Sequence, residues 1–119
     1  MAILVVDDDR DQCDSLADVL NDVGYEVDTA SSGNEAVEMA SRKSYLLMLL
    51  DLRMPGMDGL DAFRRMKSAD HHTRGILLTG FATDEAMHCA AGLGMDAAIS
   101  KPLDLPILLS RIAQILSHN

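Results

Sequence analysis

The chain has 119 residues, the size of one ordinary domain, and its 48% apolar content argues against disorder. Its net charge of −9 argues against direct nucleic-acid binding, because neutralising phosphates needs a basic surface. No apolar run approaches the roughly 20 residues of a membrane-spanning helix, and no signal peptide opens the sequence, so we expect a cytoplasmic protein. In that setting Cys13 and Cys89 are predicted to be reduced core thiols.

Apolar and amphipathic segments alternate along the chain. They predict strand–helix pairs at 2–6 and 10–22, 25–30 and 33–42, 46–50 and 58–69, 75–79 and 83–91, and 96–100 and 104–117. Strands one, three and four are continuously apolar, which is typical of buried parallel strands, whereas strand two alternates like an edge strand. The pattern predicts one α/β domain over residues 1–119, with a doubly wound five-stranded parallel sheet of order 2-1-3-4-5 and five helices.

Two helices carry apolar stripes that define their predicted core faces. On helix one the stripe comprises Cys13, Leu16, Ala17, Leu20 and Val23. On helix five it comprises Leu105, Leu108, Leu109, Ile112 and Leu116. Leu103, Ile107 and Ile115 lie off that stripe, and such extra apolar residues often mark an interaction surface.

Polar residues follow four of the predicted strands. Asp7, Asp8 and Asp9 come after strand one, Asp51 after strand three, Thr79 ends strand four and Lys101 follows strand five. The carboxyl ends of parallel strands share one edge of a sheet, where ligands bind. The spacing therefore predicts one site of acids, a hydroxyl and an ammonium.

That combination suits a divalent cation and a phosphoryl group. Neighbouring carboxylates repel each other unless a cation intervenes, and Mg2+ prefers such oxygen ligands. Asp51 stands alone on its strand and is the candidate nucleophile, because carboxylates form aspartyl-phosphates. Lys101 would neutralise charge and Thr79 would donate a hydrogen bond to a phosphoryl oxygen. We also expect a cis Lys101–Pro102 bond, and a rigid loop over 51–59 that presents a carbonyl to the metal.

Other polar residues have simpler interpretations. Asp9 and Asp11 suit the first turn of helix one, where acids favour the helix dipole. His71, His72 and His88 have no matching ligand cluster in the sequence, so we expect no metal there.

Four segments together resemble the receiver domain of bacterial two-component response regulators, the CheY-like family. They are Val5-Val6-Asp7-Asp8, the segment Asp51 to Gly59 that reads DLRMPGMDG, Leu78-Thr79-Gly80 and Lys101-Pro102. The match covers essentially the whole chain. It implies a flavodoxin-like fold and Mg2+-dependent phosphorylation of Asp51 by a sensor histidine kinase or a histidine phosphotransfer protein.

The resemblance also implies roles for individual residues. Asp8 and Asp51 would ligate the metal directly, Asp7 through water, and Arg53 through its backbone carbonyl. Thr79 and Lys101 would respond to the phosphoryl group and relay the change to the face formed by helix four, strand five and helix five, where a homodimer is possible.

One position departs from the family. Many receivers carry a rotating aromatic residue three positions before the lysine, where this chain has Ala98. The usual coupling between hydroxyl and aromatic ring therefore cannot operate in its familiar form. Phe81, in the loop after strand four, is a candidate replacement.

Two alternatives remain. In a phosphatase of the haloacid-dehalogenase type Asp7 would be the nucleophile, but the chain is short for that core plus its cap, and Asp51 and its loop would be unexplained. An interaction module unable to be phosphorylated conflicts with the presence of Asp8, Asp51, Thr79 and Lys101 together. The sequence thus favours a phosphorylation-controlled switch over a turnover enzyme.

Overall fold

Strands and helices alternate along the computed structural model, which describes residues 2–80 and 83–117. The elements are β1 Ala2–Val6, α1 Arg10–Asp22, β2 Val27–Ala30, α2 Gly33–Arg42, β3 Tyr45–Asp51, α3 Gly59–Ala69, β4 Gly75–Thr79, α4 Asp84–Gly92, β5 Ala97–Ser100 and α5 Leu105–Ser117. The strands pair in parallel in the order β2-β1-β3-β4-β5. The predicted doubly wound, flavodoxin-like fold is confirmed.

Both faces of the sheet are covered, which explains the continuously apolar strands. Alternate residues of β1 point to opposite faces: Ile3 and Val5 pack with α1 and α5, and Leu4 and Val6 with α2 and α3. β1 and β3 are central neighbours, and the chain leaves them in opposite directions. Their carboxyl ends therefore flank the switch point at which such sheets bind ligands.

Capping side chains set where the helices begin. Asp58 and Thr83 accept hydrogen bonds from the third backbone N–H of the helices they precede, so they lie just outside α3 and α4. Asp104 does the same for Ile107 at the start of α5. The three helices consequently start one residue later than predicted.

Some predicted core positions were wrong. Val23 is 55% exposed, because α1 ends at Asp22 and Gly24 turns the chain with a positive φ of 104°. On α5 Leu108 and Ile112 are buried as predicted, and Leu109 and Leu116 pack partly buried against the same core, but Ile115 belongs to the buried face as well.

The structure also corrects the predicted burial of three other residues. Ile115 is buried instead of lying off the stripe, and Leu105 in the first turn is 37% exposed. Cys13 is buried as predicted, but Cys89 is exposed on α4 instead of lying in the core.

None of the helices within the described parts of the chain has the length and apolar character needed to cross a bilayer.

Candidate functional site

The predicted site residues lie at the carboxyl edge of the sheet. Asp7 directly follows β1, Asp51 and Thr79 end β3 and β4, and Lys101 directly follows β5. The backbone N–H of Asp7 donates to the Ala30 carbonyl at 3.1 Å, and that of Lys101 to the Thr79 carbonyl at 2.8 Å. These bonds extend the strand pairing past the strand ends and hold both side chains against the edge.

Three carboxylates meet there. Asp7, Asp8 and Asp51 each offer one oxygen, and these oxygens lie within 4.8 Å of one another. Asp7 is 7% exposed, Asp51 is half-buried and Asp8 is exposed, so the cluster opens to solvent on the Asp8 side. It is the only potential metal-binding group of three acids, histidines or cysteines found among residues 2–80 and 83–117, and it includes no histidine.

Asp9 takes no part in the cluster. Its carboxylate accepts a hydrogen bond from the backbone N–H of Gln12 at 3.2 Å and so caps α1, while Asp11 lies in the first helical turn. The helix interpretation of these two acids is confirmed. The Asp9 N–H donates to Asp7 Oδ1 at 2.9 Å and fixes the rotamer of that buried acid.

Lys101 reaches into the cluster from the end of β5. Its Nζ lies 3.1 Å from Asp51 Oδ1 and 3.4 Å from Asp7 Oδ2, and the Lys101–Pro102 bond is cis as predicted. A third contact, 3.1 Å to Gln12 Oε1, was missed by the sequence reasoning. The only sequence signal for it is the position of Gln12 in the first turn of the helix that follows the acids.

The neighbouring carboxylates and the lysine shift the pKa of Asp51 in opposite directions. Burial raises the pKa of Asp51, Lys101 opposes the rise through its hydrogen bond and charge, and the charges of Asp7 and Asp8 add to it. Burial lowers the pKa of Lys101, but contacts with Asp51 and Asp7 outweigh it and raise the pKa above its ordinary value. One ammonium therefore leaves Asp51 short of positive charge, which a divalent cation can supply.

The loop after β3 is held close to the site. The Leu52 N–H donates to the Leu78 carbonyl and the Gly59 N–H to the Leu52 carbonyl, each at 3.0 Å. Gly56 has a positive φ of 80°. Arg53 is exposed in this segment. The two hydrogen bonds thus hold the loop at its start and its end, and the metal-binding role of the Arg53 carbonyl stays a prediction.

The remaining predicted residues lie around this centre. Thr79 is 1% exposed at the end of β4, where it pairs with Ser100 of β5. Ala98 is half-buried and pairs with Leu77. Phe81 lies outside the described residues.

A groove of about 650 Å³ adjoins Lys101. Residues from α1 and from the segment that leads into α5 line it, with Leu16 and Val19 on one wall and Pro102 and Leu103 on the other. The site therefore has an apolar surface beside its ammonium.

Comparison with known proteins shows the family. The response regulator receiver domain matches residues 3–113. The response regulator MprA of Mycobacterium leprae is 40% identical over 98% of this chain and 51% of its own. Sporulation initiation phosphotransferase F of Bacillus subtilis is 31% identical over 96% of this chain and 92% of its own.

A solved structure shares the fold. The response regulator TrrA of Thermotoga maritima, in complex with Mg2+ and BeF, is 29% identical, has a TM-score of 0.87, and is matched over 97% of this chain and 99% of its own.

The chain spans about half the length of several curated relatives it matches, 44% to 53%. These matches give no support to the haloacid-dehalogenase alternative. They agree with the fold and with the four segments quoted above, and the chain belongs to the response regulator receiver domain family.

Proposed function

We propose that the chain is a single receiver domain over residues 1–119 that accepts a phosphoryl group on Asp51. The observation that carries this proposal is one half-buried carboxylate, Asp51, that contacts a lysine and has an oxygen within 4.8 Å of oxygens from two further acids. This arrangement positions a nucleophile and balances charge, the two things phosphoryl transfer mainly requires. The domain then acts as a cytoplasmic signalling switch, whose own residues catalyse only its phosphorylation and dephosphorylation.

The donor set fits Mg2+. Carboxylate oxygens that are close together and open to solvent on one side match an ion that uses one or two carboxylates and keeps several waters. Asp8 and Asp51 would hold it directly, Asp7 through water, and Arg53 through its carbonyl. When bound, the ion supplies the positive charge that offsets the phosphoryl oxygens. The Mg2+ and BeF in the Thermotoga structure support Mg2+ as the ion.

The transfer moves one phosphoryl group from the donor to Asp51. A carboxylate oxygen of Asp51 attacks the phosphorus of a phosphohistidine, a P–O bond forms and the P–N bond breaks. The bonding electron pair stays with the imidazole nitrogen of the donor. Lys101 remains beside Asp51 and pairs with the incoming phosphoryl oxygens, and the Thr79 hydroxyl donates to one of them. The groove next to Lys101 offers an apolar binding surface for the donor protein, a histidine kinase or phosphotransfer protein.

The response travels without the usual aromatic residue. Ala98 is too small to swing between two positions, so the change runs through Thr79, the following loop and α4. The helix packs through small side chains, Ala86 and Ala90, which leaves it few large contacts to break. The output is a change in the α4–β5–α5 face. The acidic surface argues that this domain does not bind nucleic acid itself.

Acetyl phosphate with Mg2+ tests the proposal directly. Intact-mass spectrometry should show one added phosphoryl group on the wild type and on Asp9→Asn, the matched control for an acid outside the cluster. Asp51→Asn should remain unmodified. Equal labelling of Asp51→Asn, or a peptide map that places the group on Asp7, would overturn the assignment.

A further inference from the structure

Hydrogen bonds close a ring beside the phosphoacceptor. The Asp9 N–H donates to Asp7, the Gln12 N–H donates to Asp9, and Lys101 donates both to Gln12 and back to Asp7. The ring joins the end of β1, the first turn of α1 and the end of β5. Because the Asp9 cap fixes the turn that carries Gln12, the amide oxygen of Gln12 is placed relative to the acids.

Gln12 completes the partners of the lysine. An ammonium has three N–H donors, and Lys101 has three acceptors: Asp51 at 3.1 Å, Asp7 at 3.4 Å and Gln12 at 3.1 Å. The two acids belong to the sheet edge and Gln12 to α1. A flexible lysine stem loses substantial rotamer freedom when it is held in one place, so a third contact from a separate element restricts it further.

We propose that Gln12 is a positioning residue, which holds the Lys101 ammonium beside Asp51 before the phosphoryl donor arrives. The inference rests on the proposed function of Asp51 for its kinetic consequence. Gln12 acts through its hydrogen bond with Lys101. A neutral acceptor suits this role, because it orients the ammonium without the charge with which a carboxylate would compete against a phosphoryl oxygen.

The first test needs neither metal nor phosphorylation. In the metal-free protein, ¹³C relaxation of the Lys101 ε-carbon reports the order of the side chain. Gln12→Met keeps the side-chain length but removes the amide acceptor, and should lower that order. Gln12→Glu keeps an acceptor oxygen and should preserve it. Gln114→Met, the same change on an exposed glutamine of α5, should match the wild type. Unchanged order in Gln12→Met would overturn the inference.

The second test measures how fast acetyl phosphate labels the protein. Gln12→Met should be about threefold to tenfold slower than the wild type, the loss expected for one hydrogen bond to a charged group at a partly exposed site. In a Lys101→Met background, Gln12→Met should cause no further loss, because the residue acts only through the lysine. Equal losses in both backgrounds would show a merely structural role.

The two tests separate the inference from the proposed function. A wild type that takes no label would refute the function of Asp51, and the relaxation data would still decide whether Gln12 holds Lys101. Normal labelling of the wild type together with equally fast labelling of Gln12→Met would refute the positioning role alone.

Discussion

A side chain at Gly59 would overlap the backbone carbonyl of Asp51. The first residue of α3 therefore packs directly on the strand end that carries the proposed phosphoacceptor. The obstructing atoms are backbone atoms, which cannot rotate aside as the end of a side chain can. This contact explains on steric grounds why residue 59 is a glycine, and it couples the position of α3 to that of Asp51.

Gly59→Ala should therefore move the end of β3 or the start of α3. We expect a loss of about 2 kcal/mol in the free energy of unfolding, typical of overpacking, and slower labelling of Asp51. Gly92→Ala is the matched control, because nothing lies within 4 Å of the added carbon and alanine is the better helix former. Denaturant unfolding compares the two. A Gly59→Ala protein as stable as Gly92→Ala would contradict the steric argument.

Asp8 and Asp9 are adjacent but should differ in metal binding. Only Asp8 belongs to the acid cluster, whereas Asp9 caps α1. Asp8→Ala should abolish most of the Mg2+-induced rise in melting temperature, and Asp9→Ala should keep it while losing roughly 1 kcal/mol of stability with or without metal. Melting curves across a Mg2+ titration measure both effects. Equal Mg2+-induced shifts for the wild type and Asp8→Ala would refute the ligand assignment.

Burial of Asp51 gives the metal-free protein a distinct pH dependence. Burial, aided by the charges of Asp7 and Asp8, raises the pKa of Asp51 in the folded state despite Lys101. Between the ordinary and the raised pKa, the folded state binds the proton that the unfolded chain has released. The contribution of Asp51 to stability therefore falls as pH rises through this window.

The proton that Asp51 binds in the folded state competes with Mg2+, because the metal requires the ionised carboxylate of Asp51. The Mg2+-induced rise in melting temperature should therefore shrink as pH falls towards the raised pKa of Asp51, above the range where an ordinary aspartate titrates. Calorimetry at a series of mildly acidic pH values measures it. A rise that stays constant until the protein itself unfolds would contradict the prediction.

The two thiols should react very differently. Burial raises the pKa of Cys13 to about 11, with help from the charges of Asp7 and Asp14, whereas Cys89 is exposed. Because the thiolate is the nucleophile, iodoacetamide at neutral pH should modify the native protein once, at Cys89, and the denatured protein twice. Intact mass counts the adducts, and native Cys89→Ser should take none. Rapid double modification of the native wild type would contradict the burial of Cys13.

The site at the sheet edge was predictable because a parallel sheet places the residues that follow its strands along the same edge. Apolar runs locate the strand ends, and Asp7, Asp51, Thr79 and Lys101 follow from them. The parallel order then places these residues along one edge. Only the position of each residue relative to its strand is needed, and the hydrophobic pattern determines that position.

Other features depend on how elements are oriented. The contact between Gln12 and Lys101 requires a particular placement of α1 and a particular lysine rotamer, neither of which leaves a periodic signal. On α5 eight of the thirteen residues are apolar, so the pattern alone does not show that Ile115 belongs to the buried face, and packing against the sheet determines this. Boundaries shifted by one residue because a cap and a first helical residue look alike in sequence.

The last prediction concerns self-association through the α4–β5–α5 face. Ile107 on α5 is 61% exposed and presents apolar surface that the fold does not bury, whereas the partly exposed Leu105 lines the groove against α1. Ile115, which the sequence analysis placed on this surface, is buried and therefore does not belong to it. If phosphorylation rearranges the face, its two states differ in contacts with a second copy, the condition for shifting a dimer equilibrium.

Beryllofluoride with Mg2+ mimics the phosphoryl group and should increase dimerisation in sedimentation velocity experiments. Ile107→Ser should weaken the dimer at least tenfold, since it removes most of a large apolar side chain from the contact. Val23→Ser is the control, because Val23 is equally apolar and similarly exposed but lies beyond the end of α1. Equal weakening by both changes would place the interface elsewhere. A protein that stays monomeric in both states at high micromolar concentration would show that this face does not mediate self-association.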